Sequence, residues 1–332
     1  MDAPDNPYRS GPPQTIVIDR RSRFGCLSTL LVLVVGFGLL LAVSAIGSKG
    51  TSRTPGRLDE RYVAGPITAK DKVAVVRVEG IIFDNTVEFA ERQLRQARED
   101  NQVKAVVLRV DSPGGTVSGS DKIWREVQLL KRAGKPVVVS MGGVAASGGY
   151  YVSAPADLIL AEPTTTTGSI GVILELPNAS ELMEKIGVEF HSITAGEWKG
   201  AGSPFEPLSD RDRERFQQMV DETYQRFLRI VAQGRELTLD QAQSVAEGKV
   251  FTAEEALKNG LIDRLGYQED AIQEAIDRSG LTKLRVVRYQ KPISFPGTLF
   301  GLSSDAAVEP PFKLDEETLL RLRTPRMLMI LR

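Results

Sequence analysis

Histidine is almost missing from this chain: of 332 residues only His191 is one, and cysteine is equally scarce, with Cys26 alone. One cysteine excludes a disulfide within the chain. One cysteine and one histidine leave too few soft ligands for a zinc or iron–sulfur site. A carboxylate-only magnesium site has no motif to support it, so no metal and no cofactor is expected. Charge of one sign is also lacking. The net charge is −1, with 42 basic and 43 acidic residues, so no electrostatic footprint for nucleic acid exists. Any serine nucleophile here needs a base other than the usual histidine. His191, in the alternating stretch Glu189–Ile193, reads as a structural residue of a strand.

What is present begins with a long apolar run. Residues 26–47 carry no charge, 22 residues in all. As a helix they would reach about 33 Å, enough to cross a bilayer. Val43-Ser44-Ala45 would suit signal cleavage, but the run exceeds a usual signal core and follows a tail of over twenty residues. An uncleaved anchor is the expectation. Arg20, Arg21 and Arg23 crowd its N-terminal side and Lys49, Arg53, Arg57 and Arg61 lie beyond it, which mildly favours a cytoplasmic tail.

The expected organisation is a tail over 1–25, a transmembrane anchor over 26–47, a linker over 48–70, a folded body over 71–290 and a loose extension over 291–332. In the body, near-continuous apolar runs alternate with amphipathic ones. Strands are expected at 72–79, 104–110, 136–141, 157–161, 170–174, 188–194 and 284–289. Helices are expected at 86–99, 118–133, 146–154, 179–186, 208–234, 252–257 and 270–279. The alternation specifies an α/β fold with mainly parallel, covered strands. Ser209 and Thr252 are good N-caps.

Four stretches carry possible chemistry. Gly142–Tyr151 sets Ser147 among glycines and alanines after an apolar run, the setting of a nucleophile at a strand-to-helix turn; serine is equally at home there as a helix cap. Asp111-Ser112-Pro113-Gly114-Gly115 follows a strand and could turn backbone N–H groups toward an anion, or be an ordinary turn. Lys199, beside Trp198 in a Gly/Ala loop, could be buried, which would favour the neutral amine that a base needs; a solvated loop lysine is the plain alternative. Thr164–Gly171 is a polar turn or the source of a hydroxyl that orients an amine.

In this order, LRVDSPGG, SMGGVAASGGYYVSAPAD, TTTTGSIGVI, ITAGEWKGAGSPFEPLSDRDR and GKVFTAEEALKNGLIDRLG resemble the signal peptide peptidase A family, of the short, membrane-anchored type. The resemblance covers roughly residues 72–266. It implies a ClpP/crotonase-like fold of repeated ββα units. It implies a Ser-Lys peptidase acting on remnant signal peptides and similar apolar segments through an acyl-enzyme. Ser147 would be the nucleophile, Lys199 the general base and Ser169 the hydroxyl that positions Lys199. Gly114, with Gly148, would supply the oxyanion hole. The resemblance further implies a ring-shaped homo-oligomer on the non-cytoplasmic side of the inner (plasma) membrane, with serine and lysine drawn from neighbouring subunits. The partners are then peptides, the lipid bilayer through residues 26–47 and further copies of the chain, with no nucleic acid. Two other readings stay open: an acyl-CoA-processing enzyme of the same fold, and a non-catalytic peptide-binding scaffold. The apolar, arginine-flanked end Met327–Leu331 could occupy the groove as a product would.

Overall fold

The computed structural model describes residues 35–36, 57–291 and 327–331. The chain divides into two units, Met1–Arg57 and Leu58–Arg332. The expected anchor falls outside the described residues apart from 35–36. Among the described residues no helix is long and apolar enough to cross a membrane.

The second unit is built on a nine-stranded sheet. Its strands are β1 (Asp59–Ala64), β2 (Lys72–Glu79), β3 (Val103–Ser112), β5 (Val137–Ala146), β6 (Leu158–Ala161), β7 (Thr166–Gly168), β9 (Val250–Thr252), β10 (Arg264–Leu265) and β11 (Arg285–Gln290). The main path runs β1-β11-β2-β3-β5-β6-β10, with β7 on β5 and β9 on β7. All pairings in this sheet are parallel except β1 with β11 and β7 with β9. Parallel strands need crossovers, and helices supply them: α1 (Asp84–Glu99), α2 (Val117–Arg132), α3 (Gly148–Ser153), α4 (Ser180–Lys185), α5 (Asp210–Gly234), α6 (Leu239–Ser244), α7 (Ala253–Lys258) and α8 (Gln268–Arg278).

Strand periodicity splits the core in two. Ala74, Val76, Val78, Leu108, Val110, Val139 and Met141 join the large cluster that also holds residues of α1, α2, α3 and α5. Val73, Val75, Ala105, Val107 and Val138 face the other way and pack with Ala271 and Ala275 of α8. Both faces are covered, which is why β2, β3 and β5 read as unbroken apolar runs. Ser209 and Thr252 cap α5 and α7 as expected, each accepting a backbone N–H, and Glu255 closes the capping box on Thr252.

Four sequence expectations change. The linker is shorter than 48–70: β1 starts at Asp59 and Leu58 is buried, because antiparallel pairing with β11 closes that sheet edge. Of the strand expected at 170–174 only β8 (Ile173–Leu174) forms, while Thr166–Gly168 becomes β7. The strand expected at 188–194 does not form. That segment is exposed and has no neighbour among the described residues to complete a ladder, so its alternation has nothing to pair with. Within the expected loose extension, Met327–Ile330 forms β12.

Candidate active site

Ser147 sits where β5 passes into α3. β5 pairs with β6 through Met141 and then switches to β7 through Val144–Ala146. Gly142 lies in the switch, where a Cβ would meet the Asp111 side chain at 2.8 Å. Ser147 takes φ 53° and ψ −114°, a left-handed backbone that side chains other than glycine avoid. Two backbone bonds hold it there: its N–H donates to Gly168 O at 2.7 Å, and its carbonyl accepts Tyr151 N–H at 2.8 Å. The residue is 1% exposed and its side chain makes no capping bond. Ser147 therefore occupies the N-cap position of α3 without its side chain capping the helix.

The small residues around it have steric reasons. A Cβ on Gly148 would come within 2.5 Å of Ser120 Oγ, and one on Gly149 within 2.7 Å of Ser112 O. The chain segments are packed closely here, and Ser147 is held in a conformation costing about 1–3 kcal/mol. A glycine carries no such cost. Ser147→Gly is thus expected to raise the Tm by about 2–12 °C relative to Ser147→Ala, as read by calorimetry. Equal melting of the two variants would show that the backbone is not strained.

Ser147 and Ser169 open into one cavity of about 240 Å³, which Gly171, Ile173, Val250 and the tail residues Leu328, Ile330 and Leu331 help to line. Ser169 also has a positive φ, 49°, and its N–H donates to Lys249 O at 2.7 Å. Its turn offers several hydroxyls, but Thr165 and Thr167 donate to the carbonyls of Gly142 and Ala145, each at 2.6 Å. Ser169 is the one that lines the cavity with Ser147. Tyr150 and Tyr151, next along α3, are structural. Burial pushes the Tyr150 phenol well above its ordinary range, and its O–H donates to Leu261 O at 2.8 Å.

The tail strand β12 lies antiparallel between β4 (Gly114–Thr116) and β8. Its register pairs Met329 with Gly115 and Ile330 with Gly114, and Leu331 N–H donates to Pro113 O at 2.7 Å. Antiparallel alternation then turns the Gly115 N–H toward the Met329 carbonyl. The Gly114 N–H faces away and donates to Ser112 Oγ at 3.1 Å. A Cβ on Gly114 would lie 2.0 Å from the Met329 oxygen and 2.8 Å from Gly148 N. That oxygen thus sits at the meeting of the DSPGG turn and the start of α3, beside the serine. Met329 is fully buried. The expectation that the tail can fill the groove is met within one chain. Gly115, missed from the sequence, replaces Gly114 as the amide facing the occupant. Two adjacent glycines look alike until the partner strand fixes which N–H points inward.

The chain does not bring Lys199 to this cavity. Lys199 and Trp198 are exposed, Arg211 stacks over the Trp198 ring at 4.2 Å, and the burial expected for the lysine is not supplied by its own chain. His191 is exposed too, 3.4 Å from Glu189, and not in a strand. In the surrounding segment Ile193 is fully exposed and Val188 partly so, while Phe190, also partly exposed, stacks on Phe205 with ring centroids 3.9 Å apart. Among the described residues no cluster of His, Cys, Asp and Glu could hold a metal.

Residues 129–282 match the model of peptidase family S49. Protease 4 of Haemophilus influenzae is 41% identical over 212 residues, covering 62% of this chain and 34% of that protein. The chloroplastic serine protease SPPA of Arabidopsis thaliana is 34% identical, covering 74% of this chain and 38% of the other. A relative from Synechocystis is 36% identical over 68% of this chain and 82% of its own length. The match thus spans only about a third of the two named proteases. Among solved structures, a mutant of ClpP1 from Listeria monocytogenes aligns with a TM-score of 0.41 and 18% identity, over 60% of this chain and 94% of that one.

Proposed function

The chain belongs to peptidase family S49, the signal peptide peptidase A family, and we propose that it is a membrane-anchored serine endopeptidase with a Ser147–Lys199 dyad. The observation that carries this reading is the peptide strand seated over Ser147, its Met329 carbonyl at the Gly115 amide. A substrate in that register presents a carbonyl carbon to the Ser147 hydroxyl. The neutral amine of Lys199 takes the hydroxyl proton as Oγ attacks, and Ser169 positions the amine. Gly115 N–H holds the developing oxyanion, with Gly148 N–H, the first of α3, as second donor. The C–N bond breaks, the leaving amine takes the proton from Lys199, and water releases the acyl group by the same route.

In this reading Lys199 reaches a neighbouring copy's serine. Its exposure, and the apolar side chains exposed around it, are the support. The assembly is then a ring of identical chains with a ClpP/crotonase-like core. Residues 26–47 anchor it in the inner membrane, with the catalytic body on the non-cytoplasmic side. The substrates are remnant signal peptides and similar apolar segments, for which the buried Met329 is the stand-in. A fluorophosphonate or similar serine-reactive probe tests the reading. It is expected to label the wild type at Ser147 and to leave Ser147→Ala unlabelled. Equal labelling of both, or of neither, would instead favour a non-catalytic scaffold.

A further inference from the structure

A second cavity lies at the other end of β12, away from Ser147. It encloses about 630 Å³, and its lining includes Glu88 and Glu91 of α1, Asp121 and Lys122 of α2, Arg226 and Met327. Strand alternation puts Met327 on the same side of β12 as Met329, two residues ahead of the carbonyl at Gly115. Met327 lines this cavity, its sulfur accepting from Thr223 Oγ1 at 3.4 Å, so the seated tail places the peptide side chain at that position along the cavity wall. Its charge follows from its pairs. Arg226 donates to Asp121 at 3.0 Å, which neutralises that carboxylate. With that pair set aside, Asp84, Glu88 and Glu91 outnumber Lys122, so the lining is acidic on balance. Arg92 approaches Glu88 only at 3.8 Å on the exposed face of α1. Val87 adds an apolar wall. An apolar wall with carboxylates at the rim suits a long basic side chain, which lays its stem on carbon and its charge at the edge. In sequence, Arg326 directly precedes Met327.

We infer that this cavity is a specificity subsite for a lysine or arginine two residues N-terminal to the acyl residue, selected by Glu88 and Glu91. The inference rests on the reading of β12 as a substrate mimic. It narrows the substrate class to peptides in which a cation precedes an apolar run.

The test uses the full chain and three peptides of the Met327–Leu331 pattern, with arginine, norleucine or glutamate at the Met327 position. Hydrolysis by the wild type and binding to the Ser147→Ala protein, by fluorescence anisotropy, are both measured. Arginine is expected to exceed norleucine roughly fivefold, the scale of exposed ion pairs, and the ratio is expected to shrink with added salt. In Glu88→Gln/Glu91→Gln the ratio falls toward one, and in Glu88→Lys/Glu91→Lys glutamate becomes the preferred residue. Equal binding of all three peptides, or an arginine preference that survives the double glutamine variant, overturns the inference. If no peptide is cleaved yet Ser147→Ala still prefers arginine, the subsite stands and the peptidase reading fails.

Discussion

In the Ser147→Ala protein, peptide hydrolysis is expected to fall by about 10⁴-fold or more, and in the Lys199→Ala protein by a similar factor, while both remain assembled. If the groups act in one proton transfer, as proposed, the two losses should not add. Near-normal turnover by Lys199→Ala would remove the lysine from the mechanism. The pH profile supplies a second reading. If the neutral amine accepts the serine proton, activity is expected to rise with pH. A flat profile from about pH 6 to 9 would contradict an amine base.

The same two variants decide where the lysine comes from. Lys199 does not line its own chain's Ser147 cavity. If the base is donated by a neighbour, co-assembled Ser147→Ala and Lys199→Ala chains regain activity. A site is intact when its serine comes from one variant and its lysine from the other, one half times one half, so about a quarter of wild-type activity is expected in a closed ring. No recovery in a demonstrably mixed assembly would place both groups in one chain.

The second large effect concerns the tail. Deleting Pro325–Arg332 is expected to lower the KM for apolar peptides by about tenfold or more. Burying one methionine side chain stabilises by about 1.5–3 kcal/mol, and that contribution now holds the tail in the groove against an incoming peptide. Tethering strengthens the competition, since a linked segment acts at an effective concentration of the order of millimolar. A free peptide of the deleted sequence should inhibit the truncated protein competitively. Unchanged KM and rate after the deletion would mean that β12 leaves the groove without cost.

Much of this was legible in residue order. Unbroken valine-rich runs at 72–79 and 104–110 specify covered parallel strands, and they form β2 and β3 with both faces packed. The N-caps at Ser209 and Thr252 were readable because capping is local: a hydroxyl meets an N–H three residues on. The segment 188–194 misled for the opposite reason. Its alternation suits a strand, but a ladder needs a partner, and none stands beside it among the described residues. β1 and β12 escaped notice because short, irregular segments become strands only when an edge is there to receive them.

Composition and residue order were enough for the α/β architecture, for the scarcity of histidine and cysteine that turns attention to a lysine base, and for the glycine-rich turns that mark Ser147. Those properties depend on residue types and on neighbours a few positions apart. Packing was needed to show that Ser147 is strained and free of capping duty, and that Ser169 lines the same cavity. It was needed too for the choice of Gly115 over Gly114 as the amide facing the occupant, and for the absence of Lys199 from its own chain's serine cavity. Each of these is a direction in space: a φ angle, the side of a strand on which an N–H projects, the face of a turn. Directions arise when segments distant in sequence pack together, and no single segment carries them.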